Sequence, residues 1–266
     1  DKVYPDFDKY KISDLRRSMN MFIEDVVWSE KSDFRDLLLS SHLYLNRGLA
    51  GVYGKSVEGD EMRRVDFEKT ERSGLLTHPY LLSHFSYAYN SSPIHRGVFL
   101  TRHMLGRTLK PPLQAVSFEN QKLDPSLSMR EKITHVTKDS NCMACHEIIN
   151  SLGFSLENYD GIGRWRDTEN NKRVDSFTQF ETRVGNLVDL QGSRSLAQFI
   201  ANDTYAQKNF VQNLFEYMIK QPIQAYGKNT VDDLHAHFEK SNFSCKELIV
   251  EILCLASNKG IKQEEL

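Results

Sequence analysis

The sequence predicts a mainly α-helical protein with minor β structure. Apolar residues recur at helical spacing in segments along the whole chain, and residues that favour helix N-caps precede several of them. Glycine and proline residues interrupt these segments, as at Gly54, Pro111 and Gly227. The chain has 266 residues, of which 39% are apolar, so it is long enough to bury a substantial core.

Residues 1–115 are predicted to form a helical N-terminal region. Its first helix is expected over residues 8–30, with Ser13 as the N-cap. One or two more helices are expected over residues 34–53, and Gly54 follows them in a position that favours a left-handed cap.

Residues 116–194 and 195–266 are predicted as two further regions. The first contains a short helix over residues 128–136, and the second is a helical C-terminal cap. Ser244, with Glu247 three residues later, predicts a capping box that begins the last helix. Minor β structure is expected at two places, residues 62–67 and 173–180.

The charge balance argues against a nucleic-acid partner. The formal net charge is −2, so neither a nucleic acid nor an anionic membrane surface is indicated. No apolar run approaches the length of a membrane span. No signal peptide opens the chain at Asp1, and we expect that a leader has been removed.

One short motif carries chemistry. Residues 142–146 read Cys-Met-Ala-Cys-His, and C-x-x-C-H is the attachment motif of a c-type haem. The two thiols add across the vinyl groups of the porphyrin, and the histidine becomes the proximal ligand of the iron. The motif therefore predicts one covalent haem c, held by Cys142, Cys145 and His146.

Three other interpretations of the motif compete with haem. A thioredoxin-like dithiol should follow a buried strand in a βαβ unit, whereas residues 130–141 are charged and polar. A structural zinc site needs two more ligands, usually as a second close pair, and no second C-x-x-C or H-x-x-x-H exists. The third interpretation is two thiols without a special role. We favour haem over all three.

Cys245 and Cys254 are the remaining cysteines. Along a helix they are roughly 13 Å apart in rise and half a turn out of phase, so they cannot bridge each other within it. We expect buried free thiols at both positions.

Blocks of residues on both sides of the motif are together more specific than the motif alone. They are residues 43–50 with Tyr53 and Gly54, residues 74–77, Ser92-Pro93 with Arg96-Gly97, Leu105-Gly106 before Pro111-Pro112, residues 153–160, residues 163–166, and the helical tail from Phe210. Through these blocks the chain resembles the planctomycete-type cytochrome c family, bacterial proteins built from consecutive domains of unknown function around a C-x-x-C-H. The tail departs from the family, which usually has Tyr-Ala-Leu-Gly-Arg where this chain has Tyr-Met-Ile-Lys-Gln at residues 217–221.

The resemblance implies a small cytochrome c-like haem domain at residues 116–194, between the N-terminal helical region and the helical C-terminal cap. Because haem attachment of this kind takes place outside the bacterial cytoplasm, we expect the protein in the periplasm or cell envelope. The family's activity is poorly defined, so the resemblance implies a cofactor and an architecture but no substrate.

The second axial ligand of the iron is the main open question. His84 resembles a histidine that many relatives have at that place, and we rank it first as a metal ligand. His78 is ranked second, and Met104 or Met129 third. His135 is expected at the haem edge.

Arg164 and Arg166 are predicted to pair with the haem propionates, since guanidinium groups match carboxylate geometry. The alternative is a solvated pair of arginines. The glycine-rich segment 150–166 either folds against a haem face or forms a plain turn that packs on the core. Glu157 and Asp160 are expected to fix this turn through backbone amides.

The leading functional hypothesis is a single-haem cytochrome that passes one electron at a time between redox partner proteins. It is expected to act within a larger envelope or membrane complex, because the N-terminal region is more protein than one haem needs. One alternative is a peroxidase-like haem enzyme with an open sixth position. Another is a mainly structural haem-bearing subunit.

Overall fold

The computed structural model of the chain describes residues 3–5, 7–109 and 123–259. Helices make up 54% of it, and its strands form only two-stranded antiparallel sheets, which confirms the mainly α class with minor β. The α-helices are α1 Lys9–Trp28, α2 Asp36–Leu39, α3 Arg47–Val52, α4 Pro79–His84, α5 Pro93–Phe99, α6 Met129–Val136, α7 Ser140–Phe154, α8 Gly192–Asn202, α9 Thr204–Ile219, α10 Thr230–Lys240 and α11 Cys245–Lys259. The strands are β1 His42–Leu45, β2 Arg63–Asp66, β3 Thr168–Glu169, β4 Lys172–Arg173, β5 Phe177–Glu181 and β6 Leu187–Gln191.

The N-cap of α1 is Asp8. Its carboxylate accepts hydrogen bonds from the backbone N–H groups of Tyr10 and Lys11 at 2.9 and 3.0 Å. Such bonds satisfy N–H groups that have no partner within the helix. The start of the helix matches the prediction within a residue, but the prediction that Ser13 is the cap was wrong.

A strand interrupts the segment 34–53, which was predicted as helical throughout. α2 and α3 lie near its ends, and β1 lies between them, paired with β2 so that Leu43 sits opposite Val65. Leu43 and Leu45 are both buried, because alternate residues of a strand face the same side. β2 falls within residues 62–67, where minor β structure was expected.

α5 and α7 pack with their backbones in direct contact. A Cβ on Gly97 would lie 2.0 Å from the carbonyl oxygen of Ile149, and a Cβ on Gly153 would lie 2.1 Å from that of Pro93. Only glycine permits this approach at either position. The crossing therefore holds the C-terminal half of α7 in a fixed place.

The largest hydrophobic core draws side chains from all three predicted regions, among them Phe22, Leu152 and Phe238. The boundary predicted at residue 115 lies outside the described residues. The division into three regions stays a prediction.

The chain after α7, residues 155–163, is buried against this core. The guanidinium of buried Arg96 donates to the carbonyls of Leu156, Tyr159 and Asp160 at 3.2, 2.9 and 2.7 Å. Burial lowers the pKa of Arg96 to about 10, so it remains charged at neutral pH. The segment is thus a turn that packs on the core, which was the second of the two predicted alternatives.

The C-terminal helices follow the sequence closely. The segments predicted over residues 195–200, 207–219 and 231–238 lie within α8, α9 and α10. The N–H of Glu247 donates to the Ser244 hydroxyl at 3.4 Å where α11 begins.

The two cysteines of α11 differ. Cys245 is buried, as predicted, and burial raises the pKa of its thiol to about 12. Cys254 is exposed, so the expectation of a buried thiol there was wrong.

Candidate functional site

The C-x-x-C-H motif lies in α7, directly after the short helix α6. α6 begins with a capping box in which the Ser128 hydroxyl accepts from the Glu131 N–H at 3.2 Å and the Glu131 carboxylate accepts from the Ser128 N–H at 2.7 Å. The hydrogen bond from Lys172 and that from the Ser128 backbone lower the pKa of Glu131 to about 2. The helix predicted over residues 128–136 is confirmed, and the motif occupies the first two turns of α7.

The two thiols and the imidazole of the motif share one face of α7. Since successive residues are about 100° apart around a helix, Cys142, Cys145 and His146 project within an arc of about 100°. All three are half-buried, and both cysteines are free. The motif therefore offers two unpaired thiols beside one histidine.

His146 is the first member of a chain of hydrogen bonds. Its Nδ1 lies 3.1 Å from Oδ1 of Asn150, one turn further along α7. Nδ2 of Asn150 donates to the hydroxyl of Thr137 at 2.9 Å, and that hydroxyl donates to the carbonyl of Ile133 at 2.8 Å. The network fixes the imidazole ring to α6 through buried groups.

A cleft of about 1220 Å³ lies beside His146, between α6, α7 and the hairpin of β5 and β6. This exceeds the roughly 300–1,000 Å³ typical of small-molecule sites. Its apolar lining residues are Met143, Ala144, Ile148, Phe154 and Leu187. The cleft is large enough, and apolar enough on the α7 side, for a large flat ligand.

Cationic side chains outnumber carboxylates around the cleft. Its charged lining residues are Arg107, Arg130, Lys138, Arg183, Glu147 and Glu181. Burial and the neighbouring Arg183 lower the pKa of Arg107. Lys138 forms no ion pair with any residue between 3 and 259 that the structure describes. The cleft favours a ligand that carries negative charge.

The arginines of the cleft also hold its hairpin wall in place. Arg130 donates to the carbonyl of Phe177 at 2.7 Å, and Arg107 donates to that of Glu181 at 3.0 Å. Arg183, in the hairpin turn, donates to the carbonyls of Leu105 and Gly106 at 2.8 and 2.7 Å.

The surroundings of the motif bear on one alternative to haem. In the described part of the chain, no three His, Cys, Asp or Glu side chains converge as a metal-binding group. The motif follows α6 rather than a buried strand, so the βαβ context of a thioredoxin-like dithiol is not the one observed.

Arg164 and Arg166 do not line the cleft beside His146. Arg164 pairs with Asp160 at 2.7 Å, and Arg166 pairs with Glu169 at 3.1 Å and with Glu157 at 3.4 Å. Asp160 also accepts from two backbone N–H groups of the turn, as predicted, whereas Glu157 bonds side chains. Propionate binding by these arginines stays a prediction, and their observed partners are carboxylates of the protein itself.

His84 and His78 are also not among the residues that line the cleft. His84 is exposed at the end of α4 and stacks edge-on with Phe85 at 4.9 Å. His78 is fully buried, with Nε2 at 3.2 Å from the Ser18 hydroxyl and Nδ1 accepting from the Tyr80 N–H. Burial and the charge of Arg72 lower the pKa of His78 to about 3. The ring of His78 is thus fully engaged within the fold.

The predicted methionine ligands lie in hydrophobic clusters. Met129 is buried with Ile133 and Phe154, and Met104 packs against the main core. His135, expected at the haem edge, is exposed and lines an adjoining cavity of about 560 Å³, which shares Arg130, Thr134 and Lys138 with the cleft. The methionine that does line the cleft is Met143, inside the motif itself.

The sequence interpretation missed Asn150 and Thr137, and it missed the cationic residues of the cleft. Asn150 stands four residues after His146, a spacing that puts two side chains on the same face of a helix. That spacing was the available indication. Arg107 and Arg183 gave none, because their meeting depends on the tertiary fold.

Two family models match the chain. Residues 72–169 match PSCyt3, a protein family of unknown function (DUF1588), and residues 1–54 match PSD4, a protein family of unknown function (DUF1592). Both families are typical of planctomycete-type cytochrome c proteins. The chain is therefore similar to these two families over residues 1–54 and 72–169. The first match contains the motif, α6 and α7, and no curated protein and no solved structure matches the chain.

None of the helices that the structure describes is both long enough and apolar enough to cross a membrane.

Proposed function

We propose that the protein is a single-haem c-type cytochrome that transfers one electron at a time between redox partners. The observation that carries the proposal is the arrangement on α7, where two free thiols share a helical face with a histidine whose Nδ1 is bonded to Asn150 and which lines a large cleft.

The residues of the motif, together with those of the cleft that His146 lines, fit a covalent haem. Cys142 and Cys145 would form the thioethers, and His146 would supply the proximal nitrogen. Arg130 and Lys138, which line the cleft, are further cations for the two propionates besides the predicted Arg164 and Arg166. Haem supplies the one-electron redox chemistry when bound, and the chain orients it and controls its contact with water.

The protein is proposed to act in the periplasm or cell envelope, with redox partner proteins and within a larger assembly. The support is the C-x-x-C-H motif, whose thioethers form outside the bacterial cytoplasm, and the match to two domain families of the planctomycete cytochrome c type.

Optical spectroscopy tests the proposal. The chain is produced with a c-type haem maturation system and titrated from its oxidised to its reduced form. The expected result is a c-type α-band on reduction and a reversible one-electron transition. A chain made under these conditions that shows no α-band after dithionite contradicts the proposal, and the C142A/C145A variant serves as the negative control.

One observation favours the alternative of a haem enzyme with an open sixth position. Among the described residues that line the cleft, His146 and Met143 are the side chains of axial-ligand type, and both belong to α7. An open position gives a high-spin spectrum and rapid cyanide binding. A low-spin spectrum that cyanide does not change argues for a second axial ligand, and therefore for electron transfer alone.

A further inference from the structure

We propose that Asn150 and Thr137 are positioning residues that fix His146 in its Nδ1–H tautomer and leave Nε2 as the free ligand atom. The role of this nitrogen as an iron ligand rests on the proposed function, whereas the tautomer is a property of the chain itself.

The protons of the network can be assigned from its hydrogen bonds. The Thr137 hydroxyl has one proton, which it donates to the carbonyl of Ile133 at 2.8 Å. Towards Asn150, 2.9 Å away, Thr137 can therefore only accept, so the amide NH₂ group faces Thr137. The amide oxygen then faces Nδ1 of His146 at 3.1 Å, and a carbonyl oxygen only accepts. Nδ1 of His146 must carry the proton.

The consequence concerns the other ring nitrogen. In a neutral imidazole with its proton on Nδ1, the lone pair is on Nε2. Imidazole in water prefers the opposite tautomer, so the network selects the form that can bind a metal through Nε2. Because Asn150 and Thr137 are both buried, water competes little with these hydrogen bonds.

The same hydrogen bond should tune a bound iron. An acceptor at Nδ1–H increases the electron donation of the imidazole to the metal and so stabilises the oxidised state. Loss of the acceptor in Asn150→Ala should raise the reduction potential.

The tautomer is measured by ¹⁵N NMR of the full chain produced without haem, at pH 8, where an exposed histidine is neutral. The wild-type protein should show His146 as Nδ1–H, and Asn150→Ala should change it to mainly Nε2–H. Thr137→Val removes the acceptor of the Asn150 NH₂ group, so the Asn150 amide can rotate by 180° and His146 should show a mixture of the two tautomers. Thr137→Ser keeps the hydroxyl, so His146 should show the wild-type Nδ1–H tautomer.

Ser151→Ala is the matched control, because the Ser151 hydroxyl donates to the Glu147 carbonyl on the same helix and does not contact the network. It should leave the His146 tautomer unchanged. An Nε2–H form in the wild-type chain, or an Nδ1–H form retained in Asn150→Ala, overturns the inference.

A second readout uses the haem-loaded protein. Asn150→Ala should attach haem yet titrate at a higher potential than the wild-type protein, with Ser151→Ala unchanged. Equal potentials for Asn150→Ala and wild type overturn the tuning role. If the wild-type chain shows the Nδ1–H form but never acquires haem, the proposed function fails and the tautomer assignment stands.

Discussion

The two halves of α7 differ in what surrounds them. Residues 149–154 are almost entirely buried and touch α5 backbone to backbone at Gly153. Residues 140–148 are exposed or half-buried and carry Cys142, Cys145 and His146, of which His146 lines an open cleft. One continuous helix therefore joins a closed region of the fold to an open one.

The difference shows how a chain can present reactive groups without losing their position. The buried half, residues 149–154, fixes the direction of α7 because it is closely packed against α5. The open half leaves the thiols accessible, as a covalent attachment requires, and the Asn150 network links its histidine back to α6. Changes in the closed half should cost stability, and changes in the open half should alter the site.

The largest effect is expected from Gly153→Ala. A Cβ here would lie 2.1 Å from the carbonyl oxygen of Pro93, so α5 and α7 must move apart. We expect a loss of about 3 kcal/mol in the free energy of unfolding, at the upper end for overpacked positions. Urea unfolding measures it.

Gly51→Ala is the control for this change. Gly51 lies in α3 with nothing within 4 Å of a new Cβ, so the substitution should stabilise the protein by about 0.5–1 kcal/mol. Equal stability of the two variants would show that the crossing of α5 and α7 is looser than the glycine contacts indicate.

A second effect concerns pH and the buried His78. The pKa of His78 is lowered to about 3, whereas in the unfolded chain it is about 6.5. Between these values the unfolded state binds a proton that the folded state does not, so stability is full above pH 6.5 and falls as the pH drops towards 3. At pH 4.5, two pH units below the unfolded pKa, this group alone should remove about 2.7 kcal/mol.

His78→Asn should reduce the loss of stability between pH 7.5 and 4.5, because asparagine can still cap α4 but does not titrate. His84→Asn, at an exposed histidine on the same helix, should keep the wild-type loss. If both variants lose as much stability as the wild-type protein between pH 7.5 and 4.5, protonation of His78 is not the cause of that loss.

The smallest effect is expected from Arg183→Ala, in the hairpin that walls the cleft. Its guanidinium donates to the carbonyls of Leu105 and Gly106, so its loss should release the hairpin turn at a cost of about 1 kcal/mol. Faster amide hydrogen exchange over residues 177–191 measures this. Arg173→Ala, at an exposed arginine of β4, should leave the exchange unchanged. Identical exchange in the two variants would show that the hydrogen bonds of Arg183 do not hold the hairpin turn.

Local sequence patterns predicted much of this fold. The helix predicted over residues 128–136 is α6, and Ser244 caps α11 as predicted, because helix starts depend on residues within one turn. β1 was missed because it is rich in leucine, like the helices on either side of it. Its pairing with β2 could not be predicted locally, since the partner strand lies about twenty residues further along the chain. The open half of the site was partly predicted, since the motif is contiguous in sequence. The role of Asn150 was not, because it depends on Thr137 in the preceding segment.

The most direct test of the account is to count the cysteines that remain free after haem maturation. The protein is unfolded, alkylated and analysed by mass spectrometry. We expect alkylation at Cys245 and Cys254 only, with one haem on the peptide that carries Cys142 and Cys145. Alkylation at all four cysteines, with no haem on that peptide, would contradict it.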